Sequence, residues 1–213
     1  MDVTIIEYGS ELLTVTMITI LAVISPGPDF AVVTRNSLAF SRRSGILTAL
    51  GISIANWIHV FYTLAGIGVI ISKSLILFSI IKFLGAAYLV YLGITNIRNT
   101  SEKSVETESG NNIFMNDINS FKTGFITNAL NPKATVFYVS VFAQLVSTTT
   151  PIYIQFLYGA IASLFCLIWF TLVAIFFNHH IIKSQFIKAQ KPLEKIMGVI
   201  LVGFGIKVAL GAE

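Results

Sequence analysis

The stretch Ile24-Ser25-Pro26-Gly27-Pro28-Asp29 interrupts an apolar segment that otherwise runs from Leu12 to Val33. Each proline removes a backbone hydrogen-bond donor and clashes with the preceding helical turn. An unpaired Asp near the centre of a bilayer costs about 2.5–3.5 kcal/mol on insertion scales. Because this interruption is costly, we predict that it has a functional role in the protein.

The composition indicates a polytopic membrane protein. Of the 213 residues, 55% are hydrophobic and only 11% are charged, whereas soluble domains contain about 25% charged residues. The single cysteine, Cys166, lies in an apolar run, so an internal disulfide and Cys-x-x-Cys chemistry are excluded. The first apolar run follows acidic residues and no basic one, so we expect a retained first span and no cleaved signal peptide.

Six apolar stretches are long enough to cross the membrane, which takes roughly 20 helical residues. They lie near residues 12–34, 45–70, 75–97, 122–146, 151–177 and 193–211. Their apolar character is continuous, and only helices or closed barrels satisfy their backbone in lipid. The sequence therefore predicts an all-α membrane protein of six transmembrane helices, in one domain spanning residues 1–213.

The basic residues predict the orientation of these helices. Ten of the fourteen lie in or beside the first, third and fifth loops: Arg35, Arg42, Arg43, Arg98, Lys103, Lys122, Lys183, Lys188, Lys191 and Lys195. Because cytoplasmic loops are enriched in Lys and Arg, these loops are predicted to be cytoplasmic and both termini to lie outside. The pI near 9.2 is thus a topology signal, with no need for a nucleic-acid partner.

Two loops carry further predictions. The polar segment 98–120 is predicted to be a solvated linker between two halves of the chain. Segment 178–191 mixes apolar residues with His and Lys, and is predicted to lie in the membrane interface.

The two halves share features that indicate an inverted repeat, residues 12–97 and 121–211. The third and sixth spans each contain a Lys followed three residues later by a Gly, in Lys82-Phe-Leu-Gly85 and Lys195-Ile-Met-Gly198. The first and fourth are broken, at Pro26-Gly27-Pro28-Asp29 and at Asn128-Ala-Leu-Asn131-Pro132-Lys133. Three spans per half is an odd number, so the second half must run in the opposite sense. Inverted repeats with broken helices at corresponding positions point to a transporter's binding site; the alternative is ordinary proline kinks and glycine packing faces.

The two breaks carry opposite charges at equivalent places, Asp29 and Lys133. We hypothesise that they bracket a zwitterionic substrate near the midplane. Asp29 would hold its ammonium, while Lys133 and the N–H groups of the half-helix that starts at Pro132 would hold its carboxylate. The alternative is a structural ion pair that joins the helices.

Residues beside the two charges complete the predicted site. Asn131 is predicted to cap the half-helix after it, and Ser25 the one that opens at Pro26. The candidate substrate-binding residues are Ser25, Pro26, Gly27, Pro28, Asp29, Asn56, Asn128, Asn131, Pro132 and Lys133.

His59 is a second candidate for proton coupling, beside Asp29. It lies deep in the second predicted span, with Ser53, Asn56 and Thr63 on the same face. An imidazole titrates near physiological pH and could relay protons, or it could only hold the bundle by an interhelical hydrogen bond.

The sequence gives little support for an enzymatic activity or a metal site. It contains no nucleophile elbow, HExxH motif or phosphate-cradling glycine loop, so neither an enzyme nor a cofactor is predicted. Asp29 is the only acid inside the first five predicted spans, and the sixth has only Glu194 at its edge, so a metal site is not predicted either.

Over essentially its whole length the chain resembles the LysE/RhtB superfamily of bacterial amino-acid exporters. The motifs that carry the resemblance are Ser25-Pro-Gly-Pro-Asp29, Arg42-Arg-Ser-Gly45 followed by Ala49-Leu-Gly51, Trp57-Ile-His59, Lys82-Phe-Leu-Gly-Ala-Ala-Tyr-Leu-Val-Tyr-Leu-Gly93 and Gly124-Phe-Ile-Thr-Asn-Ala-Leu-Asn-Pro-Lys-Ala134. Ser41 and Ala55 stand where that family usually has glycine.

The resemblance implies a six-helix inner-membrane exporter driven by exchange against protons. The Pro-Gly-Pro-Asp stretch and the double Arg are most similar to the threonine and homoserine exporter branch, which implies small neutral amino acids as substrates. The implied partners are the amino acid, protons and the lipid bilayer; the oligomeric state stays open, a homo-oligomer included. The alternatives are export of a basic amino acid or another small metabolite, and a non-transporting membrane scaffold.

Overall fold

A computed structural model of the chain describes residues 8–98, 115–146, 150–177, 192, 195–196, 198–207 and 209–210. Within these residues the fold is all-α, as predicted, and no strand occurs. The helices are α1 (Gly9–Ile24), α2 (Pro28–Ala39), α3 (Arg42–Lys73), α4 (Leu75–Arg98), α5 (Asp117–Ala129), α6 (Pro132–Leu145) and α7 (Ile152–Phe176). A shorter apolar helix, α8 (Gly198–Lys207), follows.

The described residues contain two helices that are long and apolar enough to cross a membrane alone, Arg42–Gly66 within α3 and Ile152–Phe176. The bent pair α1 and α2 makes a third if it is one span. These match the second, fifth and first predicted spans. The other three predicted spans correspond to α4, to α5 with α6, and to α8. The count of six and the inverted repeat stay predictions.

The first break is produced by its two prolines. α1 ends at Ile24, the backbone of Ser25 and Gly27 is extended, and α2 begins at Pro28 with its axis bent by 55° from α1. Proline disfavours helical geometry at the residue before it. Because Gly27 precedes Pro28, a helix that opened at Pro26 would be interrupted at Gly27. The prediction that Ser25 caps the second half-helix is therefore wrong. Ser25 is the C-terminal cap of α1, and Gly27 is the N-terminal cap of α2.

The second break is shorter and is closed by a side chain. α5 ends at Ala129 and α6 begins at Pro132, a residue that suits the first position of a helix. The side chain of Asn131 accepts a hydrogen bond from the backbone N–H of Lys133 at 3.0 Å. The predicted N-cap role of Asn131 is confirmed.

Helices α3 and α5 cross at a contact that only glycine permits. A Cβ atom on Gly51 would lie 2.1 Å from the carbonyl oxygen of Phe121, and one on Gly124 would lie 2.0 Å from that of Thr48. Small residues allow membrane helices to approach backbone to backbone. The crossing holds α5, and with it the second break, against α3.

Polar contacts join α3 and α5 at the end that is predicted to be cytoplasmic. Arg43 pairs with Asp117 at 2.5 Å on the exposed surface, and the hydroxyls of Ser44 and Ser120 are 2.8 Å apart in the interior. Ser41 accepts a hydrogen bond from the Ser44 N–H at 3.0 Å, at the start of α3.

The ends of the predicted linker 98–120 are helical in the structure. Arg98 is the last residue of α4, α5 begins at Asp117, and Ser120 is fully buried. Residues 99–114 of that linker lie outside the described residues, as does the predicted interfacial segment 178–191.

Two apolar clusters lie on either side of the breaks. The first joins α1, α6 and the beginning of α7, and its buried residues include Val15, Ile18, Phe137, Tyr138, Phe142 and Tyr158. The second joins α2, the beginning of α3 and the end of α7, and includes Phe30, Val33, Ile52, Cys166 and Phe170. The helices that follow the two breaks therefore pack into different clusters, α2 into the second and α6 into the first.

Candidate functional site

The two breaks meet at a cavity of about 60 Å³. Its lining includes seven of the ten predicted substrate-binding residues: Ser25, Gly27, Asp29, Asn56, Asn128, Asn131 and Lys133. The other three, Pro26, Pro28 and Pro132, shape the two breaks beside it. Apolar side chains from both clusters, among them Phe30, Phe137 and Phe170, complete the wall. The structure thus brings together residues that are about a hundred positions apart in sequence.

The carboxylate of the first break is held by side chains of the second. The amide groups of Asn128 and Asn131 donate hydrogen bonds to Oδ2 of Asp29, at 2.9 and 3.1 Å. Oδ1 of Asp29 is buried and has no hydrogen-bond partner among the described residues. Because a buried polar atom without a partner costs free energy, this oxygen is an available acceptor for a ligand or a proton.

The cation of the second break contacts the first in return. The ammonium of Lys133 donates to the carbonyl oxygen of Ser25 at 3.0 Å. Ser25 follows the last turn of α1, where carbonyls lack an intrahelical donor and a cation is favourable. A Cβ atom on Gly27 would lie 3.5 Å from Cδ and from Nζ of Lys133, so the lysine lies directly against the first break.

His59 lies next to the cavity and contacts its wall. The ring is fully buried; Nε2 is 2.9 Å from the carbonyl oxygen of Asn128, and Nδ1 is 2.7 Å from the hydroxyl of Tyr62. One face stacks on Tyr138, with ring centroids 5.5 Å apart. His59 is therefore linked to Asp29 through Asn128.

The polar face that His59 shares on α3 divides into separate contacts. Asn56 lines the cavity. Ser53 instead bonds with Ser163 on α7, with the two hydroxyls 2.9 Å apart. Thr63 is buried, and its hydroxyl has no partner among the described residues. Of the three neighbours predicted on this face, Asn56 is the one that the structure places at the site.

Some residues of the site were missed by the reasoning from sequence. Thr19, Tyr138 and Cys166 line the cavity, and each occurs in an apolar run. The signal for Thr19 was weak, because Thr14, Thr16 and Thr19 occur close together in the same run and only one of them lines the cavity.

Glu11 is another acid within a helix of the bundle. It lies in the first turn of α1, one residue before the first predicted span. Its carboxylate accepts a hydrogen bond from the hydroxyl of Tyr158, a buried residue on α7. Because Glu11 lies outside that predicted span, it leaves the expectation about Asp29 a prediction. Glu11 lies at the far end of α1 from the break.

A polar cavity where two broken helices meet, enclosed by an apolar helical bundle, is the arrangement of secondary transporters. The sequence comparison agrees, and this chain belongs to the LysE type translocator family, whose model matches residues 20–212. The predicted resemblance to the LysE/RhtB superfamily is confirmed. The chain is a membrane protein of a transporter family and not an enzyme.

Relatives in other bacteria cover nearly the whole chain. The uncharacterized membrane protein YrhP of Bacillus subtilis (strain 168) is 33% identical over 207 residues, which are 94% of this chain and 99% of that protein. The threonine efflux protein of Salmonella typhi is 31% identical over 198 residues (92% and 96%). That of Escherichia coli (strain K12) is 29% identical over 199 residues (93% and 97%). No solved structure matches the chain.

Proposed function

We propose that this protein exports small neutral amino acids, of the size of threonine or homoserine, in exchange for protons. The observation that carries the proposal is the enclosed carboxylate of Asp29, whose Oδ1 lines the meeting point of the two breaks without a partner among the described residues. Ionisable groups inside membrane proteins are rare, and they mark substrate pathways and proton relays.

The ammonium of the substrate binds to acceptors from both breaks. Oδ1 of Asn128, like Oδ1 of Asp29, is buried and has no partner among the residues that the structure describes. An ammonium group carries three N–H donors and can satisfy both oxygens at once. Asn131 holds the other carboxylate oxygen of Asp29 and so fixes the direction of the acceptor.

The carboxylate of the substrate binds on the side of Lys133. The N-terminus of α2 adds a favourable field there, since the first N–H groups of a helix and its dipole attract anions. No side chain among the described residues caps that end, whereas Asn131 already caps α6. The hypothesis from sequence put the substrate carboxylate at the start of α6. We propose instead that it binds at the start of α2, beside Lys133.

The size of the cavity favours a small substrate. One water needs about 10–15 Å³ by the same measure, so a cavity of about 60 Å³ holds only a few small groups. Aromatic side chains close the wall, and a long basic side chain would have no second acid among the described lining residues to pair with. The Salmonella and Escherichia relatives are named threonine efflux protein, which supports the same class of substrate.

Proton coupling follows from competition for Asp29. The same carboxylate can hold a proton or an ammonium, and one excludes the other, so loading of substrate releases the proton. His59 supports this exchange through its contact with the carbonyl of Asn128, the residue whose amide binds Asp29.

Exchange by alternating access requires the site to face each side of the membrane in turn. We propose that the hinge is the first break, within an inverted repeat of residues 12–97 and 121–211. By the positive-inside rule, the protein lies in the bacterial inner membrane with loops one, three and five in the cytoplasm and both termini outside.

The test is transport in proteoliposomes that contain the purified protein. An imposed proton gradient should drive labelled threonine or homoserine, and a protonophore should abolish the movement. Lysine added as a competitor should have little effect; strong competition would instead favour a basic amino acid. If no amino acid moves, a panel of toxic analogues and metabolites, scored for resistance on overexpression, tests the alternative of another exported metabolite.

The scaffold alternative makes an opposite prediction in cells. A scaffold that does not transport should keep its function when Asp29 and Lys133 are replaced together by apolar residues of similar size. Loss of resistance to a toxic threonine analogue in that double variant, with normal amounts of protein in the membrane, supports the transporter.

A further inference from the structure

One buried hydroxyl of the cavity has no partner in the protein. Thr19 lies on α1, fewer than two turns before the first break. Its side chain is only 1% exposed and lines the cavity, and its Oγ1 has no hydrogen-bond partner among the described residues. A hydroxyl that is both buried and unpaired costs free energy unless something fills the cavity and bonds to it.

Neighbouring threonines show that this state is not imposed by the helix. Thr14 and Thr16, on the same helix, donate to the carbonyl oxygens four residues earlier at 2.7 and 2.8 Å. Thr34 and Thr63 also lack partners among the described residues, but neither lines the cavity. Thr19 is thus the one of these five that combines an unpaired hydroxyl with a place in the cavity wall.

We propose that the hydroxyl of Thr19 binds the side-chain hydroxyl of the substrate and makes the cavity selective for small hydroxylated amino acids. This inference rests on the proposed function, because it takes the ammonium and carboxylate ends to lie at Asp29 and Lys133. In such a pair either hydroxyl can donate the hydrogen bond and the other accepts it, so no charge or further group is needed.

The surroundings of Thr19 give the pair its selectivity. The nearest lining residues along α1 are Ala22 and Val23, which offer no side-chain polar group. A substrate hydroxyl on this side of the cavity therefore finds its partner in Thr19. A site that bonds a substrate hydroxyl rejects the analogue that lacks it, because the buried group of the site is then left unpaired.

The experiment compares threonine with valine, which has nearly the same shape and no hydroxyl. Both are transported as labelled substrates in proteoliposomes, by the wild type and by Thr19→Val, which keeps the branched shape at position 19. The wild type should prefer threonine, and Thr19→Val should lower the threonine-to-valine ratio about tenfold. Thr19→Ser keeps a hydroxyl and should retain the preference.

Thr34→Val is the matched control, because it removes a buried, unpaired hydroxyl of the same residue type outside the cavity. Its threonine-to-valine ratio should equal that of the wild type. Size-exclusion chromatography and thermal unfolding in detergent check that each variant is folded. Should Thr19→Val not fold, Thr19→Ala reads the same loss of the hydroxyl.

The outcomes separate this inference from the proposed function. A wild type that carries threonine and valine equally, or a Thr19→Val protein that keeps the full preference for threonine, overturns the inference and assigns the hydroxyl to cavity water. In both cases amino-acid export still stands. A wild type that moves no amino acid at all overturns the proposed function, and the inference falls with it.

Discussion

The two helix breaks contain similar residues, but the helices that follow them are capped differently. In the second, Asn131 caps the N-terminus of α6, and its amide also holds Asp29. In the first, the N-cap of α2 is Gly27, and no side chain among the described residues closes that end. A side chain therefore caps the helix of the second break, whereas the helix of the first has no described side-chain cap and Oδ1 of Asp29 has no described partner.

The helices that lead into the two breaks, α1 and α5, also differ in how they are held to their neighbours. α5 is held to α3 by the backbone contact at Gly51 and Gly124. α1, in contrast, ends far from its break in a polar contact, the hydrogen bond from Tyr158 to Glu11. A hydrogen bond can be exchanged for one with water, and a close backbone contact cannot. We infer that the second break is the fixed side of the site and that α1 is the arm that moves.

The largest effect is expected from the Asp29→Asn substitution. An amide carries no negative charge and takes up no proton at this pH, so it can neither form an ion pair with the ammonium nor couple to protons, and proton-driven transport of threonine should fall about a hundredfold or more. Asp117→Asn is the control, since it makes the same change on the exposed end of α5 and loses only a surface ion pair. Proteoliposome transport measures both. Full activity of a folded Asp29→Asn protein would remove Asp29 from the mechanism.

The Gly124→Ala substitution tests whether the second break is the fixed side. The new Cβ atom would lie 2.0 Å from the carbonyl oxygen of Thr48, so α5 must move away from α3. We expect a loss of about 1–3 kcal/mol in the free energy of unfolding, as for other overpacked interiors. Gly66→Ala is the control, because no atom lies within 4 Å of its Cβ position. Unfolding in detergent measures both; equal stability of the two variants would contradict the rigid crossing.

The Asn131→Ala substitution separates the cap from the site. Loss of the cap should cost about 1 kcal/mol of stability, and loss of the donor to Asp29 should raise the KM for threonine. Asn116→Ala is matched to it, since Asn116 caps α5 by accepting from the Ile118 N–H at 3.2 Å, at the exposed start of that helix. Both variants should lose similar stability, and only Asn131→Ala should change transport. A similar KM in both would leave Asn131 with a structural role alone.

Local rules of the sequence predicted much of this architecture. Pro26, Pro28 and Pro132 restrict their own backbone and that of the residue before them, so the places of the breaks follow from the chain itself. Asn131 caps the helix that follows it for the same local reason. The apolar runs predicted each of the helices, although α5 begins at Asp117, inside the predicted linker.

Contacts between distant segments could not be predicted in the same way. The prediction paired Asp29 with Lys133 by charge. In the structure Asn128 and Asn131 donate hydrogen bonds to the Asp29 carboxylate, and Lys133 donates one to the carbonyl oxygen of Ser25. Which donor reaches Asp29 depends on how α5 is placed by its crossing with α3, and no local pattern encodes that. The orientation of Thr19 depends likewise on the packing of α1.

The smallest effect is expected from Gly27→Ser, which would finish the first break like the second. Gly27 has φ −166°, an extended backbone that any residue adopts, and a Cβ atom there would make ordinary contact with Lys133 at 3.5 Å. A serine cap should add a few tenths of a kcal/mol to stability. It should also lower transport about two- to threefold, because its hydroxyl would compete with the substrate carboxylate for the first N–H groups of α2.

Gly27→Ala distinguishes this competition from mere bulk. It adds the same Cβ atom without a hydroxyl, so its transport should stay close to that of the wild type while Gly27→Ser is slower. If both variants are equally slow, the added volume against Lys133 is responsible. If Gly27→Ser gains stability and transports as fast as the wild type, the open end of α2 does not bind the carboxylate. The difference between the two breaks would then concern folding and not transport.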